Sequence, residues 1–257
     1  MKLFATLAAI AATVSAAPAA TPKVLICSDS TTANYDPSTS VLQGWGYYLH
    51  DYLTIGVSNL AVNGRSTRSY INEGLWATLL ASTNAGDFVL IEMGHNDDVD
   101  PTNNDTAARG TLPGIGEQTV VVTTSKGKET VHTFGWYLRK MIADVKAKNA
   151  IPVLSGMVPR NYWTGNKLQS DWPFADYAKQ VAQAAGVTYV DHTKYSVAKF
   201  QSFGPTKAKT FFPNDNTHTN PAGAIINSDA FATAVKCGTN DVLTPYLNAK
   251  GKSFSCT

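Results

Sequence analysis

Five short apolar runs punctuate the chain: Lys23–Cys27, Val57–Val62, Asp87–Met93, Ile151–Ser155 and Val187–Asp191. Each is nearly continuous in apolar character, which is the pattern of strands buried on both faces rather than of half-exposed strands that alternate. Longer amphipathic stretches separate them. The clearest carries Phe134, Leu138, Met141, Ile142 and Val145 on one helical stripe. Further helices are predicted at 44–54, 71–82, 173–186 and 221–235, the last opened by Asn220 as cap and Pro221 at the first helical position. Strands alternating with helices imply a parallel sheet covered on both faces, an α/β domain. One interruption, Val120–Thr124 and Glu129–His132 around Ser125-Lys126-Gly127-Lys128, predicts a small β-hairpin between the third and fourth strands.

The first residues change the picture at the N-terminus. Lys2 precedes an apolar run from Leu3 to Val14, and Val14-Ser15-Ala16 offers small residues for cleavage, so residues 1–16 read as a signal peptide. The remainder, 17–257, reads as a single secreted domain, with no repeat, linker or apolar stretch of membrane length. In an oxidising destination Cys237 and Cys256 are expected to pair across a short loop, leaving Cys27 as a buried thiol. Asn104-Asp105-Thr106 is the sole glycosylation sequon.

Composition mostly excludes. Charged residues are 16% of the 257, and 21 cations face 19 anions. Thr, Ser and Asn number 63 together, more than the 40 charged residues. That balance argues against a polybasic nucleic-acid binder, a coiled coil or a charged disordered chain, and it names no partner.

The chemistry lies at the strand ends, where open parallel sheets bind ligands. The first strand runs into Ser28-Asp29-Ser30-Thr31, the second into Asn63-Gly64-Arg65-Ser66-Thr67-Arg68, the third into Gly94-His95-Asn96-Asp97. Near the last helix, Asp215 precedes His218 by three residues, a spacing that lets the carboxylate fix the imidazole tautomer. These four blocks, in this order, resemble the SGNH (GDSL-type) hydrolases. More narrowly, Asn63–Tyr70, Arg109–Gly114 and Thr217–Gly223 resemble the fungal rhamnogalacturonan acetylesterases. The resemblance spans the chain from about residue 23 to the C-terminal cysteines. It implies Ser30 as nucleophile, His218 as general base and then acid, and Asp215 as its orienter. It also implies an oxyanion hole made by the N–H groups of Ser30 and Gly64 and the Asn96 side chain. Ser28 stands where the family carries a glycine two before the nucleophile.

Other residues keep two readings. Ser66 lacks the closing glycine of a nucleophile elbow and reads as a turn or cap residue. Arg65 and Arg68 are either surface cations or contacts for an anionic sugar, which a guanidinium fork suits. Tyr162, Trp163 and Trp172 are either core or a platform under sugar rings. His192 and His50 read as structural or exposed. Asp97, Asp98, Asp100 and Asp105 lack the glycine and closing glutamate of a calcium loop, and Asp97 reads as a support for the Asn96 loop. The expectation is therefore a flavodoxin-like three-layer α/β/α sandwich with strand order 2-1-3-4-5 and a hairpin insertion. Its activity is expected to be a serine esterase, secreted and monomeric, taking acetyl groups off a pectic polysaccharide without metal or cofactor. Alternatives are an esterase for acetylxylan or small lipid esters, or a secreted carbohydrate-binding protein without turnover. Neither nucleic acid nor membrane is an expected partner.

Overall fold

The computed structural model describes residues 21–256 apart from Asn104. The predicted signal peptide and the sequon asparagine lie outside the described residues. In chain order the strands are β1 (Lys23–Ser28), β2 (Gly56–Asn59), β3 (Phe88–Glu92), β4 (Thr119–Thr124), β5 (Gly127–His132) and β6 (Ile151–Ser155). They continue with β7 (Trp163–Thr164), β8 (Lys167–Leu168) and β9 (Thr188–Val190). The helices are α1 (Thr67–Asn72), α2 (Leu75–Ala81), α3 (Phe134–Ala147), α4 (Pro173–Ala185), α5 (His192–Lys209), α6 (Pro221–Cys237) and α7 (Ala249–Lys252).

Strands β2-β1-β3-β6-β9 form one parallel sheet in that order, which is the predicted 2-1-3-4-5 arrangement. Because side chains alternate along a strand, each strand feeds both faces. Leu25, Cys27, Val89, Ile91 and Leu154 pack with Tyr70, Trp76 and Leu79 of α1 and α2 and with the apolar stripe of α3. Val24, Ile26, Phe88, Leu90 and Val153 pack on the other side with Phe231 and Val235 of α6. Strands β4 and β5 are the predicted hairpin, paired from Thr119–His132 to Thr124–Gly127. Cys237 is bonded to Cys256, and Cys27 is a buried free thiol that burial pushes well above its ordinary pKa.

Local differences from expectation have local causes. The predicted helix at 44–54 is a 3-10 helix over Trp45–Tyr52. The predicted helix at 71–82 is split at Gly74, whose φ of +79° ends α1 and starts α2. Helix α5 had no counterpart in the hydrophobic pattern because its inner face is largely polar. His192, Ser196 and Phe200 recur at i, i+4, i+8, all buried. It also breaks at Gly204-Pro205, where φ is +71° at the glycine.

A buried carboxylate at the end of β3 joins the layers. Glu92 accepts from Trp45 Nε1 at 3.0 Å and from Ser155 Oγ at 2.6 Å, and it bonds His192 Nδ1 at 2.8 Å. His192 Nε2 donates to the Asn227 carbonyl at 2.8 Å, so a single proton is held between Nδ1 and the carboxylate. Neither side chain reaches solvent. Removing one partner of such a pair strands the others without an acceptor, which is far costlier than replacing all of them together. Glu92→Ala is expected to cost roughly 3–5 kcal/mol in urea unfolding, with Glu92→Gln milder. A loss below about 1 kcal/mol for the alanine variant would show that the network does not hold the layers.

Candidate active site

The site is built at the carboxyl ends of β1 and β3 and the loop before α6. After Ser28 the chain folds into a turn, with the Asp29 carbonyl accepting from Thr32 N at 3.2 Å and Ala33 N at 3.0 Å. This lifts Ser30 to the rim while its neighbours stay inside. Ser28 is fully buried, yet its hydroxyl is satisfied: it donates to the Glu92 carbonyl at 2.6 Å and takes Thr32 Oγ1 at 2.7 Å. A serine therefore fits where the family carries glycine. The Asp29 side chain turns inward to accept from Thr31 N and Thr31 Oγ1, both at 2.9 Å. Burial pushes its carboxyl up to about 6 against the pull of those two bonds.

The loop before α6 delivers His218. Asp215 Oδ1 accepts from the backbone of Thr217 at 2.6 Å and of His218 at 2.8 Å, folding the loop tightly. Its Oδ2 takes His218 Nδ1 at 2.6 Å, and His218 Nε2 meets Ser30 Oγ at 2.8 Å. With Nδ1 committed as a donor to the carboxylate, Nε2 is the acceptor facing the serine hydroxyl. Partial burial raises the Asp215 carboxyl, but its bonds from His218 and Thr217 outweigh that and hold it below the usual range. The loop is tied to its surroundings by Asn161 N on the Asn216 carbonyl and by Gln43 N on the Thr219 carbonyl.

The third element faces Ser30 from β2 and β3. Gly64 has a φ of +76°, and a built Cβ would meet nothing nearer than Arg109 Nη1 at 3.9 Å, so the backbone conformation is what calls for glycine there. At Gly94 space and backbone agree: φ is +142°, and a Cβ would stand 2.6 Å from the sulfur of Met157. Asn96 Nδ2 donates to the Arg65 carbonyl at 3.0 Å and Asn96 Oδ1 accepts from Arg109 Nη1 at 3.1 Å. These two contacts set which end of the amide is nitrogen and leave one N–H unused. Among the described residues, the N–H groups of Ser30 and Gly64 also find no protein acceptor. Uncommitted donors grouped beside a serine hydroxyl are what a developing oxyanion would need.

The remaining sequence candidates are distributed differently. Asp97 is buried and ties two blocks together, its Oδ1 accepting from Thr67 N at 3.0 Å and Thr67 Oγ1 at 2.5 Å. Ser66 caps α1 in a reciprocal box with Ser69. Arg65 points to Glu73 at 2.7 Å and to the Asn63 carbonyl. Arg68, expected at the rim, is turned into the protein with its side chain 1% exposed. It is held by both Glu129 oxygens at 2.8 and 2.7 Å, by Asp105 at 3.0 Å and by the Gly110 carbonyl. No sugar reaches it there, so its expected substrate contact is corrected to an internal clamp. Trp163 lies in the β7–β8 ribbon, half-buried, with Nε1 donating to Asn161 at 2.6 Å. With Tyr162 and Leu168 it lines a surface depression of about 300 Å³. His192 is internal on Glu92, and His50 is exposed beside Asp51. Among the described residues, no three His, Cys, Asp or Glu side chains are grouped as metal ligands.

Two residues were not singled out by the sequence. Arg109 stood inside a recognisable block but carried no role. Arg160, after β6, donates from Nη1 to Thr217 Oγ1 at 2.6 Å and from Nη2 to the His95 carbonyl at 3.2 Å. Both act through contacts distant in the chain, which a linear pattern does not reveal.

Residues 29–224 match the model of the GDSL-like Lipase/Acylhydrolase family. The chain is 38% identical over 225 residues to a rhamnogalacturonan acetylesterase of Emericella nidulans, covering 86% of this chain and 89% of that one. It is 29% identical to the probable rhamnogalacturonan acetylesterase YesY of Bacillus subtilis, covering 83% and 92%. Among solved structures, the YXIM protein of Bacillus subtilis superposes with a TM-score of 0.68 at 24% identity, covering 85% of this chain and 57% of that one. The acetylxylan esterase Axe2 of Geobacillus stearothermophilus superposes at 0.56 with 16% identity, covering 83% and 93%. These two structural likenesses speak for the fold.

The buried aspartates give the site a pH signature. Burial pushes the Asp97 carboxyl up to about 7, with the Thr67 bonds pulling back, and its Oδ2 has no partner among the described residues. An unfolded aspartate ionises near pH ~4, so between these values the fold holds a proton that the unfolded chain has lost. The stability contributed by this group is full below pH ~4 and declines as pH rises towards 7. Asp97→Asn is expected to gain on the wild type by on the order of 2 kcal/mol from pH 4 to 7 in parallel urea titrations. A constant difference across that range would contradict the assignment.

Proposed function

Because the chain belongs to the GDSL-like lipase/acylhydrolase family, and is a carboxylic ester hydrolase, we propose that it removes O-acetyl groups from acetylated rhamnogalacturonan. The observation that carries the reading is the continuous relay Asp215–His218–Ser30, at 2.6 and 2.8 Å, beside three unused N–H donors. The substrate is supported by the two relatives named for that activity, one of them 38% identical across most of the chain.

In this reading Ser30 Oγ attacks the acetyl carbonyl carbon while His218 Nε2 takes the hydroxyl proton. The charge that develops on the carbonyl oxygen is met by Ser30 N–H, Gly64 N–H and the free Asn96 Nδ2–H. Asp215, held ionised, stabilises the imidazolium. Collapse of the tetrahedral adduct breaks the ester bond, and His218 returns its proton to the departing sugar oxygen. Water, deprotonated by the same histidine, then attacks the acetyl-serine and releases acetate. A protein that only bound sugar would have no use for a base in contact with a hydroxyl. The apolar leader and the Cys237–Cys256 bond support an extracellular setting, where the enzyme is read as a monomer on polymeric substrate.

Ser30→Ala is expected to bring p-nitrophenyl acetate hydrolysis down to background. Asn96→Ala should lower kcat about 10²–10³-fold with KM little changed. Ser30→Ala hydrolysis at the wild-type rate would refute the nucleophile. Acetate release is expected to be fastest on acetylated rhamnogalacturonan among rhamnogalacturonan, homogalacturonan and xylan. A preference for xylan would refute the pectic reading in favour of the acetylxylan alternative.

A further inference from the structure

The chain has five arginines, Arg65, Arg68, Arg109, Arg139 and Arg160. Three are neutralised by carboxylates: Arg65 by Glu73, Arg68 by Asp105 and Glu129, Arg139 by Glu117. The other two, Arg109 and Arg160, form no ion pair among the described residues, and these are the two that border the reacting groups. Arg109 touches Asn96 and lies against Gly64, on the oxyanion side. Arg160 touches Thr217, the residue before the catalytic histidine, and the carbonyl of His95, the residue before Asn96. Asp98 feels the charge of Arg160 but stays beyond ion-pair distance. Both guanidinium groups are partly buried and spend only one or two of their five donors on neutral oxygens.

An acetyl ester is neutral, and the oxyanion it generates is already served by three N–H groups. Two half-buried cations without counter-ions are therefore in excess of what deacetylation requires. A guanidinium in such a setting has a planar fork matched to a carboxylate, and partial desolvation strengthens the attraction. We infer that Arg109 and Arg160 recognise a carboxylate of the substrate chain close to the acetyl ester. The enzyme accordingly selects acidic, uronate-containing polymers over neutral ones. This rests on the pectic reading above and deepens it by assigning the residues that read the acid. It also relocates anion recognition from Arg65 and Arg68, which already have carboxylate partners.

A purely structural role, steadying Asn96 and Thr217, would slow the enzyme on every ester alike, so the readout is a ratio within each variant. kcat and KM are measured on an acetylated oligosaccharide from rhamnogalacturonan and on the same material with its uronate carboxyls amidated. The wild type is expected to favour the acid form by about tenfold in kcat/KM. Arg109→Gln and Arg160→Gln should each lower that ratio at least about threefold, mainly through KM, and the double variant should bring it to near one. Arg160→Lys is expected to keep part of the preference, as a point charge without the fork. A wild-type ratio near one would overturn the inference. So would a ratio that survives both glutamine variants while overall activity falls, which would make the arginines structural supports. If neither oligosaccharide is deacetylated while p-nitrophenyl acetate is hydrolysed, the pectic reading fails and takes this inference with it.

Discussion

The end of β3 is where this molecule is held together. One carboxylate, that of Glu92, is wholly enclosed and engages Trp45 from the 3-10 helix, Ser155 from β6 and His192 from α5. The same residue's carbonyl receives the Ser28 hydroxyl from β1. The 3-10 helix, β6 and α5 thus converge on one side chain, and β1 on the carbonyl of the same residue. Burying such a group is tolerable only because both carboxylate oxygens are hydrogen-bonded. The turn that carries Ser30 begins immediately after Ser28, so the placement of Ser30 inherits the rigidity of that node.

A second fastening governs the opposite side of the site. Arg68 draws in Glu129 from β5 and Asp105 from the loop before Arg109, and Asp105 in turn accepts from the backbone of Arg109 and Gly110 at 3.0 and 2.7 Å. Arg109 then sets the orientation of the Asn96 amide. The hairpin insertion is therefore tied into the path that aims the Asn96 amide, although no residue of β4 or β5 hydrogen-bonds Ser30, His218 or Asp215. A buried guanidinium with two carboxylates and a carbonyl is suited to this because its fork fixes direction as well as distance.

What the sequence disclosed follows from how each signal is encoded. The sheet and α3 were legible because strand runs and a helical stripe are written in apolar residues. Helix α5 was not, since His192 and Ser196 occupy inward positions that hydrophobicity cannot mark. The Ser30–His218–Asp215 contact was legible because its members stand in recognisable blocks. Arg68 was misplaced for a geometric reason: Ser66 caps α1, and the first turn of that short helix swings the following arginine inward. Arg109 and Arg160 escaped because their meaning lies in what they lack, a counter-charge, and that can be judged only once every carboxylate has been located in space.

His218 and Asp215 have side chains 28% and 46% exposed, carried on a loop rather than at the bottom of a closed pit. An open-sided arrangement of this kind has no entrance to thread. A long chain can lie across it from either direction, and an ester in its middle reaches Ser30 as readily as one at a free end. Under the pectic reading proposed above, that openness is what would let internal acetyl groups be removed without prior cleavage of the chain.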